Sequence, residues 1–489
     1  MLQQEKKVCS PIVSSEPRDL RIHDPRALDF MDLLNKKVLV IGLARTGVST
    51  VRFLTTRGAR VKVSEIKPEE ALREALEDLR GLPVQYELGG HTFPFFGDAD
   101  LIVVSPGVPM DMAVLAQARK IGIPVISEVE LAFRFLRRPL IAITGTNGKT
   151  TTTTLIGAML RESGESAFVG GNIGTPLIGF VQGPQTEKWV VAEISSFQLE
   201  GIETFRPHIS VLLNLTEDHL DRYASFAEYM EAKGRIFTRQ EKEDYAVLNA
   251  DDPGTFSFAH RVQAQVLLFS VQRPVPVGCF LKKKAIVFHG LEGLQEQFSL
   301  DRLKIRGAHN LENIMAALTA ARLCGCPGEV VQRVIDEFQG LEHRLEFVGN
   351  INGVSFFNDS KGTNVGSVVK SLMSFHEPIW LIAGGKDKGG DYSPLQELIA
   401  KQVKGMALIG EAKGRIYAAL GGLTETVKAD TLKEAVEWAF AKAVAGDVVL
   451  LSPACSSYDM FENYQERGRL FKAVVRGLTE SRRPEGEKA

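Results

Sequence analysis

The sequence predicts an α/β protein of about three domains. The chain has 489 residues, and domains run to roughly 150 residues each. Short apolar runs recur along it and alternate with stretches of helical period, as expected of parallel sheets crossed by helices. Hydrophobic residues make up 44% of the chain and charged residues 24%, ordinary values for a globular protein that argue against disorder, collagen and coiled coil.

The elements follow in chain order. Residues 1–31 mix charges and prolines without period and read as an N-terminal extension. Lys37-Val38-Leu39-Val40-Ile41 is a first buried strand, followed by a helix from Thr46 to Arg57. A strand over Arg60–Glu65, a charged helix over Pro68–Leu79 and a strand over Leu101–Val104 continue the alternation. A second unit opens near Ser127 with a strand over Pro139–Ile143 and a helix running to Leu160. Further strands are expected at Val190–Ile194, Ser210–Leu215, Val247–Asn249 and Val266–Phe269, then a small β insertion over 270–305. Leu311, Ile314, Met315 and Leu318 mark a helix over Asn310–Ala321. A third block begins near Leu341, with buried strands at Ile379–Ala383 and Asp447–Leu451.

Charge and cysteine content narrow the function. Lys+Arg is 58 and Asp+Glu 60, a formal charge of −2, which offers no electrostatic case for nucleic acid or an anionic membrane. No apolar run approaches the ~18–20 residues that span a bilayer. The N-terminal MLQQEKKVCS lacks the apolar core of a secretory signal. Cys9, Cys279, Cys324, Cys326 and Cys455 are odd in number, sparse and without zinc spacing, which fits a reducing compartment. A cytoplasmic protein with small-molecule partners is expected.

The sharpest motif is Gly145-Thr146-Asn147-Gly148-Lys149-Thr150-Thr151 between a strand and a helix. Backbone N–H groups of such a loop cradle phosphate at a helix N-terminus. Lys149 reaches the β/γ-phosphates and the Thr150 hydroxyl suits Mg²⁺. The loop departs from the full G-x₄-G-K-[ST] spacing, so a nucleotide site is predicted without a standard switch or motor. An earlier turn, Gly42-Leu43-Ala44-Arg45-Thr46-Gly47, resembles G-x-G-x-x-G with Ala44 at the middle glycine, and Glu65 ends the next strand where a ribose-binding acid belongs. Taken alone it suggests a dinucleotide oxidoreductase; a uridine diphosphate sugar fits the same place.

Glu193, in Glu193-Ile194-Ser195-Ser196-Phe197-Gln198-Leu199-Glu200, stands at a strand's C-terminal end, where open α/β sheets bind ligands. Asn214-Leu215-Thr216-Glu217-Asp218-His219-Leu220-Asp221-Arg222-Tyr223 gathers acids, a histidine and an arginine after the next strand. Glu193 with His219 around Mg²⁺ would neutralise charge on phosphate. In the third block Glu342-His343-Arg344, Asn358-Asp359-Ser360-Lys361-Gly362-Thr363-Asn364, Gly384–Gly390 and Ser452–Ser457 are polar segments, three of them after strands. They suggest one site for an anionic small molecule, and their lysines suit a dicarboxylate amino acid.

TGTNGKTT, EISSFQLE, NLTEDHLDRY, EHR, NDSKGTNVGS and SPACSSYDMFENYQERG occur in this order, and together they resemble the Mur ligases of bacterial peptidoglycan synthesis over about Lys36–Leu478. EISSFQLE and SPACSS resemble the branch that adds D-glutamate to UDP-N-acetylmuramoyl-L-alanine; a sister ligase or a folylpolyglutamate-synthase-like enzyme is the alternative.

The resemblance implies a UDP-binding Rossmann-like domain over 32–127, a central P-loop ATPase-type domain over 128–340 and a Rossmann-like amino-acid-binding domain over 341–489. It implies that Arg45, Thr46, Glu65, Lys67 and Gly107 face the uridine diphosphate and that Asn172 contacts the muramoyl group. ATP would be held by the loop from Gly145 to Thr151 with Asn310, Asn313, Arg344 and Asp359. Mg²⁺ would be held by Thr150, Glu193, His219 and a carbamylated Lys233. Lys149, Glu193, His219 and Lys233 form the implied catalytic set. Lys361, Thr363, Lys388 and Ser457 would bind D-glutamate, with Tyr464 packing nearby. A monomer with ATP and Mg²⁺ as cofactors is the expectation.

Overall fold

The computed structural model describes residues 31–219, 222–387 and 389–480. The expectations for 1–30, for Lys388 and for the part of the third domain beyond 480 lie outside the described residues.

Three sheets follow one another along the chain. The first holds β1 (Lys37–Ile41), β2 (Arg60–Glu65), β3 (Val84–Leu88), β4 (Leu101–Val104) and β5 (Val125–Ser127), all parallel, in the order β3-β2-β1-β4-β5. The order reverses between β1 and β4, which opens a crevice at their C-terminal ends.

The second comprises β6 (Leu140–Thr144), β7 (Ala167–Gly171), β8 (Trp189–Glu193), β9 (Ile209–Leu212), β10 (Tyr245–Asn249), β11 (Gln265–Ser270), β12 (Gly278–Lys282), β13 (Ala285–His289) and β14 (Gln295–Ser299). Its order is β14-β13-β12-β11-β10-β9-β6-β8-β7, antiparallel only at the β12–β14 edge. The β segment expected over 270–305 is this edge, hydrogen-bonded to the central sheet through β11.

The third has β15 (Glu346–Ile351), β16 (Val354–Asn358), β17 (Ile379–Gly384), β18 (Val403–Ile409), β19 (Glu425–Lys428) and β20 (Val448–Leu451) in the order β15-β16-β20-β17-β18-β19, with only β15 and β16 antiparallel.

Parallel strands covered by helices on both faces need near-continuous apolar sequence. That is why β1, β4, β6, β8, β17 and β20 stand out in the primary structure: all but the first residue of β1 are buried. One core cluster joins Val38 and Val40 of β1 and the helix Glu128–Arg134 to Val190 of β8 and Leu248 of β10. A second lies on the other face of the central sheet, between Ile141, Trp189 and the helices Lys149–Glu162 and Ala308–Leu323.

Local departures from expectation have physical causes. The helix expected over 68–79 is a 3₁₀ turn, Glu69–Leu72, followed by a short helix, Arg73–Asp78. Only Leu72 is buried in these two elements, so no apolar stripe extends them. The strand expected to run to Leu215 ends at Leu212, because Asn214 beyond it turns its amide to the phosphate loop. Strands β3, β7, β15 and β19 are half-exposed along much of their length and lack a continuous apolar run.

Candidate functional site

The loop 145–148 joins β6 to the helix Lys149–Glu162. Gly148 has φ +88°, and a Cβ there would sit 2.1 Å from Asn313 Oδ1, so only glycine lets the helix Ala308–Leu323 approach. Asn214 braces the loop from below: its Oδ1 accepts from Asn147 N at 2.9 Å and its Nδ2 donates to Asn147 O at 3.0 Å. Thr146 Oγ1 accepts from Thr216 N and from Tyr229 OH. Asn147 Nδ2 is buried with no protein partner, a donor left for a ligand's oxygens.

Lys149 Nζ donates to Gly145 O and Thr146 O, both at 2.8 Å. Burial holds its ammonium below the usual lysine range, against the pull of Glu193 and Asp218. Thr150 Oγ1 donates to Glu193 Oε2 at 2.8 Å and accepts from Arg344 Nη2 at 2.8 Å. Asn172 Nδ2 donates to Glu193 Oε1 at 2.9 Å. Thus Glu193, at the end of β8, gathers the phosphate loop and the Asn172 loop.

Lys233 lies at the C-terminal end of the helix Phe226–Gly234, 2% exposed. Its Nζ sits 4.7 Å from the Tyr229 ring centroid. Burial first and the Lys149 ammonium second hold it well below the ordinary lysine range. The neutral amine so favoured is a nucleophile, the form that carbon dioxide converts to a carbamate. His219, in a left-handed conformation (φ 57°), packs edge-on to Phe197 at 4.8 Å.

The third sheet brings Arg344, Lys361, Thr363, Ser457 and Tyr464 to the same place. With Thr146–Lys149, Asn172, Glu193, His219 and Lys233 they line one cavity of about 320 Å³. Lys361 Nζ stands 4.0 Å over the Tyr464 ring. Contacts across the cavity close the assembly: Ser367 Oγ to Asn147 Oδ1 at 2.9 Å and Asn364 Nδ2 to Asp218 Oδ2 at 2.9 Å. A smaller recess behind the loop is lined by Thr151, Asn310, Asn313, Arg344 and Asp359. Asp359 is 6% exposed, and its Oδ2 accepts from Ser371 Oγ and Ser452 Oγ, both at 2.7 Å; burial lifts its carboxyl to about 6.

Among the described residues, no three His, Cys, Asp or Glu side chains gather closely enough to hold a metal by themselves. The hydroxyl of Thr150 against the carboxylate of Glu193 is nevertheless a pair of hard oxygen donors beside a phosphate loop. That donor set fits Mg²⁺, which keeps waters and takes substrate phosphates among its ligands.

The residues assigned to uridine diphosphate lie apart from this cavity, at the C-terminal ends of β1, β2 and β4. Glu65 is only 7% exposed: Oε2 accepts from Leu43 N at 2.6 Å and Oε1 from Lys67 N at 3.0 Å. Its carboxylate therefore shapes the turn through backbone. Arg45, Lys67 and Gly107 are exposed and Thr46 half-exposed around it. A cavity of about 920 Å³ runs from Gly107 and Met110 of this region to Phe197 and His219. Arg222 bridges the two ends: it donates to Pro106 O at 3.2 Å and Val108 O at 3.0 Å, pairs with Glu200 at 2.7 Å, and lies 4.1 Å from the Phe197 ring.

Asp218, Arg222, Tyr229, Asn364, Ser367 and Arg467 are site residues that the sequence reading did not single out. All but Tyr229 lie inside the motifs quoted above; their partners are remote in the chain, so the motif marks the segment without marking the side chain.

Known proteins share this architecture. The profile of the Mur ligase MurD-like N-terminal domain matches residues 36–127, that of the Mur ligase middle domain 143–321, and that of the Mur ligase glutamate ligase domain 343–455. A UDP-N-acetylmuramoylalanine–D-glutamate ligase of Geotalea uraniireducens is 54% identical over 448 residues, 92% of this chain and 99% of that protein. One of the same name from Geobacter metallireducens is 53% identical over 93% of this chain and 100% of its own. Among solved structures, a pseudomurein peptide ligase type C from Methanothermus fervidus superposes with a TM-score of 0.59 at 18% identity, over 91% of this chain and 100% of its own. A UDP-N-acetylmuramate-alanine ligase of Thermotoga maritima gives 0.55 at 20% identity over the same shares. These two share the fold; the curated relatives share about half of the sequence over more than nine-tenths of this chain. The chain belongs to the Mur ligase family.

Proposed function

We propose that this chain is an ATP-dependent amide ligase that joins D-glutamate to UDP-N-acetylmuramoyl-L-alanine in peptidoglycan precursor synthesis. The observation that carries the reading is the single cavity that unites a phosphate loop, a buried lysine beside a carboxylate, and the Lys361–Tyr464 segment of the third sheet. Relatives about half identical over nine-tenths of the chain bear the name of that reaction.

The division of labour follows the sheets. Residues 32–127 hold the uridine diphosphate through the crevice around Arg45, Thr46, Lys67 and Gly107, with Glu65 setting the turn. The groove beside Arg222 leads the sugar and its lactyl-alanine toward Asn172 and His219. Residues 128–340 hold ATP, and 341–489 bring D-glutamate to Lys361, Thr363, Lys388 and Ser457. Asn310, Asn313, Arg344 and Asp359 face the nucleoside end of ATP.

The chemistry is phosphoryl transfer followed by acyl transfer. The substrate carboxylate attacks the γ-phosphorus, the bond to the β-bridging oxygen breaks, and ADP leaves with that electron pair. The D-glutamate amine then attacks the acyl carbon, loses a proton, and inorganic phosphate departs as the amide forms. The protein supplies position and charge rather than covalent chemistry. Lys149 leaves its two carbonyls for the transferring phosphate, Arg344 ties the third sheet to the loop, and His219 faces the acyl end. Thr150, Glu193 and a carbamylated Lys233 would hold Mg²⁺, which when bound neutralises phosphate charge. A cytoplasmic location follows from where ATP and uridine nucleotides are available. A monomer is consistent with one chain furnishing every group in the cavity.

Phosphate release from ATP and Mg²⁺ with UDP-N-acetylmuramoyl-L-alanine tests this, comparing D-glutamate, L-glutamate, meso-diaminopimelate and no amino acid. Release with D-glutamate alone is expected. Release with another amino acid moves the chain to a sister ligase, and none with any overturns the reading.

A further inference from the structure

Arg467 is 0% exposed, on the helix Tyr464–Glu480 that closes the third sheet. Its guanidinium makes four hydrogen bonds, all to neutral oxygens. Nε donates to Ser360 Oγ at 3.0 Å and Nη2 to Ser360 O at 2.9 Å. Nη2 also donates to Cys455 O at 3.2 Å and Nη1 to Ser456 O at 3.3 Å. Ser360 Oγ in turn donates to Tyr464 O at 2.8 Å.

These partners sit on two loops distant in sequence, one after β16 and one after β20, which also meet directly where Ala454 N donates to Gly362 O at 2.9 Å and Ser452 Oγ to Asp359 Oδ2 at 2.7 Å. Lys361 and Thr363 leave the first loop for the cavity; Ser456, Ser457 and Tyr458 leave the second. The grip extends to a third loop, because Lys386 N donates to the same Ser456 O at 2.9 Å. Each of these cavity-facing side chains is within a few residues of an atom that Arg467 holds directly.

The charge calls for its own account. A buried cation is costly to desolvate unless a counter-charge compensates it, and neutral donors would pin carbonyls at lower cost. Asp459 and Asp359 attract the guanidinium without hydrogen-bonding to it, and burial depresses it only to about 10, so it stays charged at neutral pH. An anion in the cavity it underlies would supply further compensation, and a dicarboxylate would supply it best.

We propose that Arg467 is a positioning residue for the amino-acid substrate: it locks the Ser360–Thr363 and Cys455–Tyr458 loops in register and lends a standing positive field to the pocket that takes the substrate's carboxylates. This rests on the assignment of that pocket to D-glutamate made above.

The test is steady-state phosphate release by Arg467→Lys, Arg467→Met and Ser360→Ala, with KM measured separately for D-glutamate, ATP and the uridine nucleotide, and with melting temperatures alongside. Arg467→Met is expected to raise KM for D-glutamate about tenfold or more, since small misplacements of binding groups are that costly. Arg467→Lys, which keeps the charge but not the fork, should fall between it and wild type, and Ser360→Ala should show the smallest rise. KM for the other two substrates should stay within about twofold. Guanidinium added at millimolar concentration to Arg467→Ala should recover part of the D-glutamate affinity while leaving KM for ATP and the uridine nucleotide unmoved. An unchanged D-glutamate KM in a folded Met variant, or equal rises for all three substrates, overturns the proposal. Should the Met variant not fold, the Lys and Ser360→Ala variants decide by the same split. Wild-type release driven by a different amino acid would instead fault the substrate assignment, and the variants are then read with that amino acid.

Discussion

Two strand–turn–helix junctions in this molecule are built alike and do different things. In the first, β1 runs through Gly42 into the helix Arg45–Thr56, and Glu65 reaches in from the end of β2. In the second, β6 runs through Gly145 into the helix Lys149–Glu162, and Glu193 reaches in from the end of β8. Glu65 spends both oxygens on backbone N–H groups of its own turn. Glu193 accepts from a hydroxyl and a side-chain amide, Thr150 and Asn172, with Lys149 and Lys233 close by. A strand-end carboxylate saturated by backbone shapes a loop; one held by exchangeable side chains beside cations remains available to a ligand.

The difference is sharpest at the lysine that only the second junction carries. Lys149→Ala should lower ATP turnover by about 10³-fold or more, because it removes the cation preorganised for phosphate. Its melting temperature should hold, since the lost bonds go to carbonyls at the cavity wall. Arg45→Ala, at the matching position of the first junction, should leave kcat near wild type. Comparable losses at both would break the comparison.

The paired carboxylates give the next effect. Glu193→Gln should reduce kcat by about 10²-fold, the scale for losing one charged group at a phosphoryl-transfer centre. Lys233→Ala should lose about 10- to 100-fold, as for other groups that tune a metal site, and short carboxylic acids should restore part of it. No rescue at any concentration would remove the carbamate from the mechanism. Glu65→Gln should only raise KM for the uridine nucleotide about three- to tenfold, the worth of one ordinary hydrogen bond, with KM for ATP unmoved.

Both junctions were legible in the sequence because each is local: a buried strand, glycines and a helix start within ten residues. The hydrogen bonding of Glu65 was not, because it depends on Leu43 N and Lys67 N arriving within reach of its carboxylate. The same holds more strongly for Arg467, whose partner Ser360 lies 107 residues away, and for Arg222, which grips Pro106 and Val108 across two sheets. Sheets read well where strands are buried on both faces, as at β8 and β20, and poorly at half-exposed β3 and β19. The alternation over 270–305 showed β structure, but hydrogen bonding to β11 is a long-range fact that no local pattern encodes.

A third carboxylate lies between the two junctions and is the least satisfied of the three. Glu128 opens the helix Glu128–Arg134; Oε1 accepts from Ile178 N at 2.9 Å, while Oε2 is buried outside hydrogen-bond geometry, with the Gln198 side chain near enough to favour the charged form slightly. Burial raises its carboxyl to about 7. The folded protein therefore holds this proton more tightly than the unfolded chain, whose glutamate titrates near pH 4.5. Between those two values the folded state binds more protons, so stability falls as pH rises through the window and levels off above it. The full effect is about 3 kcal/mol at most, since each tenfold change in proton affinity is worth roughly 1.4 kcal/mol. Glu128→Gln keeps an acceptor for Ile178 N and cannot ionise, so it should change turnover least of all these variants. Its melting temperature should match wild type near pH 5 and exceed it near pH 8. A gap that is constant across that range would mean Glu128 is charged throughout, and that its Oε2 finds compensation the hydrogen-bond geometry does not reveal.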